Sequence, residues 1–297
     1  MKKKSSSILS IIALFIIGLA VLLYPSFSNW WNERRAQSLI VEQEEVIREI
    51  DTSQLDEIRE KAHLYNRSLI GTLLPDAFAE EEANSPNPVY ETILNPAGTG
   101  YMGTIEIPVI NVTLPIYHYT TEEVLLNNTG HLAGSSVPVG GESTHTVLSA
   151  HRGLPSAKLF TDLDRVYEGD IFYIHVLGDT LAYMVDQINV VEPTETDGLS
   201  IEIGEDLATL ITCTPYAVNS HRLLVRGHRV PYTPEQYTEE SNKITIDRID
   251  KWLIVFRVLS VVVGVGIAFL IMFIRNKRSE KKIKNIEEKR SQYEQDS

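Results

Sequence analysis

The chain divides by its hydrophobic patterning into two unbroken apolar runs, a charged stretch with helical spacing, and a long series of short apolar bursts. Ile8 to Tyr24 is almost wholly apolar and follows Lys2, Lys3 and Lys4; Val258 to Ile274 is entered past Trp252 and left through Arg275, Lys277 and Arg278. At about 1.5 Å per helical residue, runs of this length reach across a thin hydrocarbon layer. The expectation is an uncleaved anchor helix over 8–24 and a second transmembrane helix over 252–274. A cleaved signal peptide is the rival for the first, but Leu22, Leu23 and Tyr24 follow Gly18 and Ala20, so no small-x-small cleavage site closes the run. A buried core helix is the rival for the second, and such a helix does not normally end in a dense basic tail.

From Ala36 to about Tyr65, Leu39, Ile40, Val46, Ile47, Ile50, Leu55, Ile58 and Leu64 recur near helical spacing without Gly or Pro, predicting one or two amphipathic helices. Gly71 and Pro75 end that periodicity, and Ala83 to Pro88 reads as an extended surface segment. After Asn95 the bursts are rich in β-branched and aromatic residues: Gly103–Ile110, Val112–Tyr119, His145–Ala150, Ile171–Leu177, Leu181–Ile188, Leu207–Thr212 and Leu223–Gly227. They predict strands, with a hairpin turn at Leu177 to Thr180 and edges or bends at Pro108 and Pro115. Many short strands with turn signals give a mainly β domain, a closed barrel or a sandwich, and closure would remove the adhesive edges.

Charge divides the same way. Residues 25–250 hold 14 Lys and Arg against 35 Asp and Glu, a net of −21, while the segments before and after carry +3 and +5 within an overall −13. The positive-inside rule puts both termini in the cytoplasm and 25–250 outside the cell. So acidic an exterior argues against a nucleic-acid partner. A single cysteine, Cys213, leaves no internal disulfide to form, so the fold rests on its own core.

Cys213 ends the apolar run that begins at Leu207, and is either buried ballast or a nucleophile. A reactive thiol needs a cationic neighbour, and Arg222 and Arg226 lie in the next strand-like segment. His151 closes another such run and opens the turn-like Arg152-Gly-Leu-Pro155, where a side chain projects from a rigid scaffold. His145 and His175 sit inside strand-like runs and read as structural; His63, His118, His131 and His228 have no special context. No metal-ligand cluster stands out, and neither metal nor cofactor is called for.

Taken in order, three stretches resemble the signature of sortases, the cysteine transpeptidases of Gram-positive cell surfaces. They are Leu148-Ser-Ala-His-Arg-Gly-Leu-Pro155, Thr209-Leu-Ile-Thr-Cys213 and Asn219-Ser-His-Arg-Leu-Leu-Val-Arg-Gly227. Gly130-His-Leu-Ala-Gly134, Leu159-Phe-Thr-Asp-Leu-Asp164 and Leu181-Ala-Tyr183 extend the likeness over roughly 95–232. The second apolar run and the long N-terminal helical region resemble the class C, pilus-assembling branch. That branch has a lid carrying Asp-Pro-aromatic, whose acid meets the catalytic arginine and whose ring covers the cysteine. Here the place reads Asp76-Ala77-Phe78, with alanine where the family has proline.

The resemblance implies a closed sortase-type barrel with short helices, preceded by N-terminal helices and a lid and flanked by two transmembrane helices. Its expected limits are a cytoplasmic 1–7, a span at 8–24, an extracellular helical region and lid at 25–95, the catalytic barrel at 96–233, a linker at 234–251, a span at 252–274 and a cytoplasmic tail at 275–297. It further implies that Cys213 attacks the Thr carbonyl of a Leu-Pro-x-Thr-Gly-like sorting signal on a pilin or surface protein, that His151 is the acid and base, and that Arg222 holds the oxyanion. A pilin lysine then resolves the thioester. Competing readings are a membrane-anchored cysteine peptidase with water as acceptor, a housekeeping-type anchoring enzyme, and an acidic adhesion ectodomain with an incidental thiol.

Overall fold

The computed structural model describes residues 3–235, Tyr237, Thr238 and isolated helical positions between 257 and 286. Two compact units divide the chain, Met1–Glu240 and Ser241–Ser297. In the first, helix α1 (Lys3–Glu49) runs without a break past Pro25, and α2 (Thr52–Ser68) follows after a bend at Ile50 and Asp51. Ala36 and Ile40 of α1 are buried, as are Ala62 and Asn66 of α2, so the helical spacing marks the face that packs on the rest of the unit.

The expectation of two transmembrane helices is not supported: among the described residues no helix is long and apolar enough to cross a membrane. The second predicted span, at 252–274, lies outside the described residues apart from isolated positions.

Eight strands close into a barrel: β1 (Tyr101–Ile107), β2 (Val112–His118), β3 (Thr129–His131), β4 (Thr144–Ser149), β5 (Ile171–Val176), β6 (Asp179–Val191), β7 (Asp206–Thr214) and β8 (His221–Val230), in the spatial order β1-β2-β3-β4-β7-β8-β6-β5. Seven match the bursts read from the sequence. The eighth, β3, is three residues long, too short to carry a pattern of its own. The β5–β6 hairpin turns through Leu177 and Gly178, both at positive φ, as a two-residue primed turn requires. Pro115 lies in β2 just before the ladder to β3, which begins at Ile116, and so costs that ladder no hydrogen bond. Pro108 opens a 3-10 turn after β1.

Between α2 and β1 the chain forms two short helices, α3 (Glu80–Ala83) and α4 (Pro88–Thr92). Pro88 occupies the first turn of α4, and Asn87 caps it by accepting from the amides of Val89 and Tyr90. Tyr90 is fully buried: its hydroxyl lies 2.7 Å from His131 Nδ1 and accepts from the Tyr119 amide at 3.3 Å. His131, equally buried, titrates only at about 3 because burial disfavours its charge. Tyr90→Phe would leave buried polar groups unpaired, and a loss of about 1–3 kcal/mol in unfolding free energy is expected. A lower midpoint in urea denaturation, at an unchanged slope, would show it.

Candidate active site

Cys213, His151 and Arg222 come from three adjacent strands at one end of the barrel. β4 and β7 run parallel in a register that ends at Ser149↔Ile211, and two residues beyond that pair stand His151 and Cys213. Ala150 between them is held on both sides, donating its amide to Ile211 O at 3.2 Å and accepting from Thr212 Oγ1 at 2.9 Å. β7 and β8 run antiparallel with Cys213 directly opposite Arg222, a pairing that puts both side chains on one face. Arg222 Nη1 reaches Cys213 Sγ at 3.5 Å.

The predicted lid residues meet this cluster. Asp76 accepts two hydrogen bonds from Arg222, from Nε at 2.8 Å and Nη2 at 2.6 Å, with both side chains largely shielded from solvent. The Phe78 ring lies 5.0 Å from the Arg222 guanidinium carbon and 5.7 Å, centroid to centroid, from the His151 ring. Ala77, in the family's proline position, is buried against Leu132, Val147, Ile211 and Leu224. The segment is held at both ends. On one side Asn66 exchanges two hydrogen bonds with the backbone of Val137; on the other, Asn84 Oδ1 accepts from the Thr120 amide at 2.7 Å.

The surroundings of Cys213 disfavour its thiolate. Burial is the largest influence and pushes the Cys213 pKa upward, the Arg222 charge draws it down, and the Asp76 carboxylate adds a smaller upward push; the net shift is upward. The bidentate Nε/Nη2 edge of Arg222 is occupied by Asp76, and Nη1 also faces the carbonyls of Asn219 and His221 at 3.3 Å. Its pKa rises through the hydrogen bonds to Asp76, so it stays charged.

Two partners of the site were not marked by the sequence. Glu122, at the start of the short helix α5 (Glu122–Leu125), places Oε2 3.2 Å from His151 Nε2. Arg152 pairs with Asp164, reaches Thr214 Oγ1 at 3.4 Å and lies 6.0 Å from the Tyr216 ring, joining the loop after His151 to the chain after Cys213. The neighbour relation could be read for Arg152, which follows His151 directly, but Glu122 is 29 residues away and only the β2–β3 crossover brings it near. His145, read as structural, lies between Ser200 O and Thr209 Oγ1 and is buried. His175 faces Glu106 and Thr180 on the barrel wall. Arg226, the alternative cation, is engaged by Asp186 and Glu202. Among the described residues no group of His, Cys, Asp and Glu is arranged to hold a metal ion.

A barrel whose parallel β4–β7 pair and adjoining β8 deliver His, Cys and Arg to one rim defines a family, and the chain belongs to it: the sortase domain model matches residues 105–230. Solved structures similar to it include class C sortases. The crystal structure of Sortase C from Streptococcus pneumoniae, described for its catalysis and pilin substrate specificity, is 46% identical, covers 66% of this chain and 98% of that one, and superimposes with a TM-score of 0.62. Sortase C1 of Streptococcus agalactiae is 44% identical over 66% of this chain and 100% of that one, TM-score 0.61, and sortase C-1 of Actinomyces oris is 46% identical over 61% and 99%, TM-score 0.57. Sortase A of Bacillus anthracis is 29% identical over 129 residues, and the match spans 43% of this chain and 60% of that protein's length.

Proposed function

We propose that the protein is a cysteine transpeptidase that cleaves a Leu-Pro-x-Thr-Gly-like sorting signal between Thr and Gly and joins the acyl part to a lysine of a pilin. The observation that carries this reading is the juxtaposition of Cys213 Sγ and Arg222 Nη1 on neighbouring strands, with His151 at the same rim. Cys213 attacks the Thr carbonyl; the C–S bond forms, and the oxyanion is met by the guanidinium edge that Asp76 holds in the closed state. His151 gives a proton to the departing glycine amine and later receives one from the incoming amine, with Glu122 orienting its ring. The thioester conserves the energy of the peptide bond, so no nucleotide is consumed. The apolar segments 8–24 and 252–274 would hold the enzyme on the membrane with its barrel outside, and partition of the full chain into the membrane fraction tests that part separately.

The deciding experiment is mass analysis of products with and without an added amine. A peptide–amine adduct is expected; release of the free acid alone would make the protein a peptidase instead.

Asp76 and Phe78 act in this scheme as a lid that a sorting signal must displace. Apparent affinity then falls by the fraction of molecules that are closed. Asp76→Ala and Phe78→Ala are each expected to raise the alkylation rate of Cys213 about tenfold at neutral pH. In Asp76→Ala the midpoint of the rate–pH profile should also move down, because one influence raising the thiol pKa is gone while Arg222 still lowers it. Alkylation at the wild-type rate in both variants would remove the lid.

A further inference from the structure

A cavity of about 330 Å³ opens between α1 and the segment formed by β2 and α5. Its lining includes Asn32 and Arg35 from α1, Tyr117 from β2, and Glu123, Asn127 and Asn128 from α5 and the turn after it. None of these belongs to the triad or the lid. The volume lies at the small end of ligand pockets, enough for a few residues of an extended segment rather than a folded surface.

Residues on both walls of the cavity are linked to the surroundings of His151. On α5, Glu123 follows Glu122, whose carboxylate meets His151 Nε2. On α1, Asn32 donates to Ser156 O at 2.8 Å, Ser28 donates to the same oxygen at 3.0 Å, and Asn29 Oδ1 accepts from the Lys158 amide at 2.7 Å. Those three bonds fasten α1 to the loop that follows His151. The lining chemistry is also specific. Side-chain amides both donate and accept, as a peptide backbone requires. Glu123 lines the cavity and Glu122, next to it in sequence, meets His151, so carboxylates there favour a cation, and Arg35 on α1 suits a carbonyl or an acidic neighbour.

We infer that this cleft receives the lysine-bearing segment of the acceptor protein and delivers its amine to the thioester along the His151 side, past Glu122. The inference rests on the transpeptidase reading above and adds the place where the second substrate docks. The lysine arrives as an ammonium ion. It sheds one proton to solvent near Glu122; on attack its nitrogen forms the C–N bond as the C–S bond breaks, the second proton passes to His151, and Cys213 is left as the thiolate. The acyl donor, by contrast, enters where Asp76 now holds Arg222, so the two substrates need not compete for one groove.

The test uses the full-length protein in detergent, a sorting-signal peptide as donor, and two acceptors: a lysine-containing peptide and hydroxylamine, which is too small to need a cleft. Asn127→Trp fills the cavity and Glu123→Lys reverses its charge; both positions are exposed, so folding should survive. In each variant the KM for the lysine peptide is expected to rise about tenfold, with transfer to hydroxylamine and hydrolysis of the donor at wild-type rates. Unchanged lysine transfer in both variants, or equal losses with the two acceptors, would overturn the docking site. Failure of the wild type to form an adduct with either amine is a different result, and it refutes the transpeptidase reading itself.

Discussion

Cys213→Ala is expected to abolish transfer and donor cleavage together, to the level of the uncatalysed reaction, and to erase the thioester mass shift seen when wild type is incubated with donor alone. The chain has no second cysteine to take over. Thr214 and Thr212 are the nearest hydroxyls in sequence, and neither is a substitute: Thr212 Oγ1 is buried and donates to Ala150 O, and an unactivated hydroxyl is a far weaker nucleophile than a thiolate. In cells, co-expression with pilins should give high-mass ladders with wild type and none with the variant. Ladders that persist with Cys213→Ala would mean that the thiol is incidental, as in an adhesion ectodomain.

Arg222→Lys is expected to move two measurements in opposite directions. Lysine keeps the positive charge beside the sulfur but loses the planar fork, so neither the bidentate grip on Asp76 nor the directed donors to the oxyanion survive. Transfer, read as kcat/KM, should fall about 10²- to 10³-fold, the usual consequence of removing an oxyanion donor. Alkylation of Cys213 should meanwhile become faster, because the lid has lost its latch. A variant that slowed both would indicate that Arg222 serves mainly to activate the sulfur, whereas no change in transfer would remove it from the chemistry.

The barrel was largely legible because most of its strands are near-continuous buried runs of β-branched and aromatic residues that end at turn residues. Leu177-Gly178 announced a hairpin through residue types alone. β3 was not legible, since Thr129, Gly130 and His131 gain strand character from the two neighbours they pair with, β2 and β4. The triad could be named from local stretches, but its convergence depends on the parallel register of β4 on β7, which no local pattern encodes. The roles of buried His118 and His131 were hidden for the same reason. His118, read as featureless, has both ring nitrogens within hydrogen-bond distance of backbone carbonyls, those of Gly100, Tyr90 and Ile93, and so ties α4 to β2. The helical region was seen as amphipathic, yet the continuity of α1 past Pro25 was not, because proline normally interrupts a helix interior.

Because Asn66 and Asn84 pin the segment that carries Asp76 at both ends, the lid proposed above makes that carboxylate a competitor that never diffuses away. Its local concentration at Arg222 is set by chain geometry, and dilution of the enzyme leaves it unchanged. A free peptide in solution therefore faces a rival that is always present. A substrate confined beside the enzyme meets the lid on equal terms, so isolated peptides should understate how fast this catalyst works on partners held close to it.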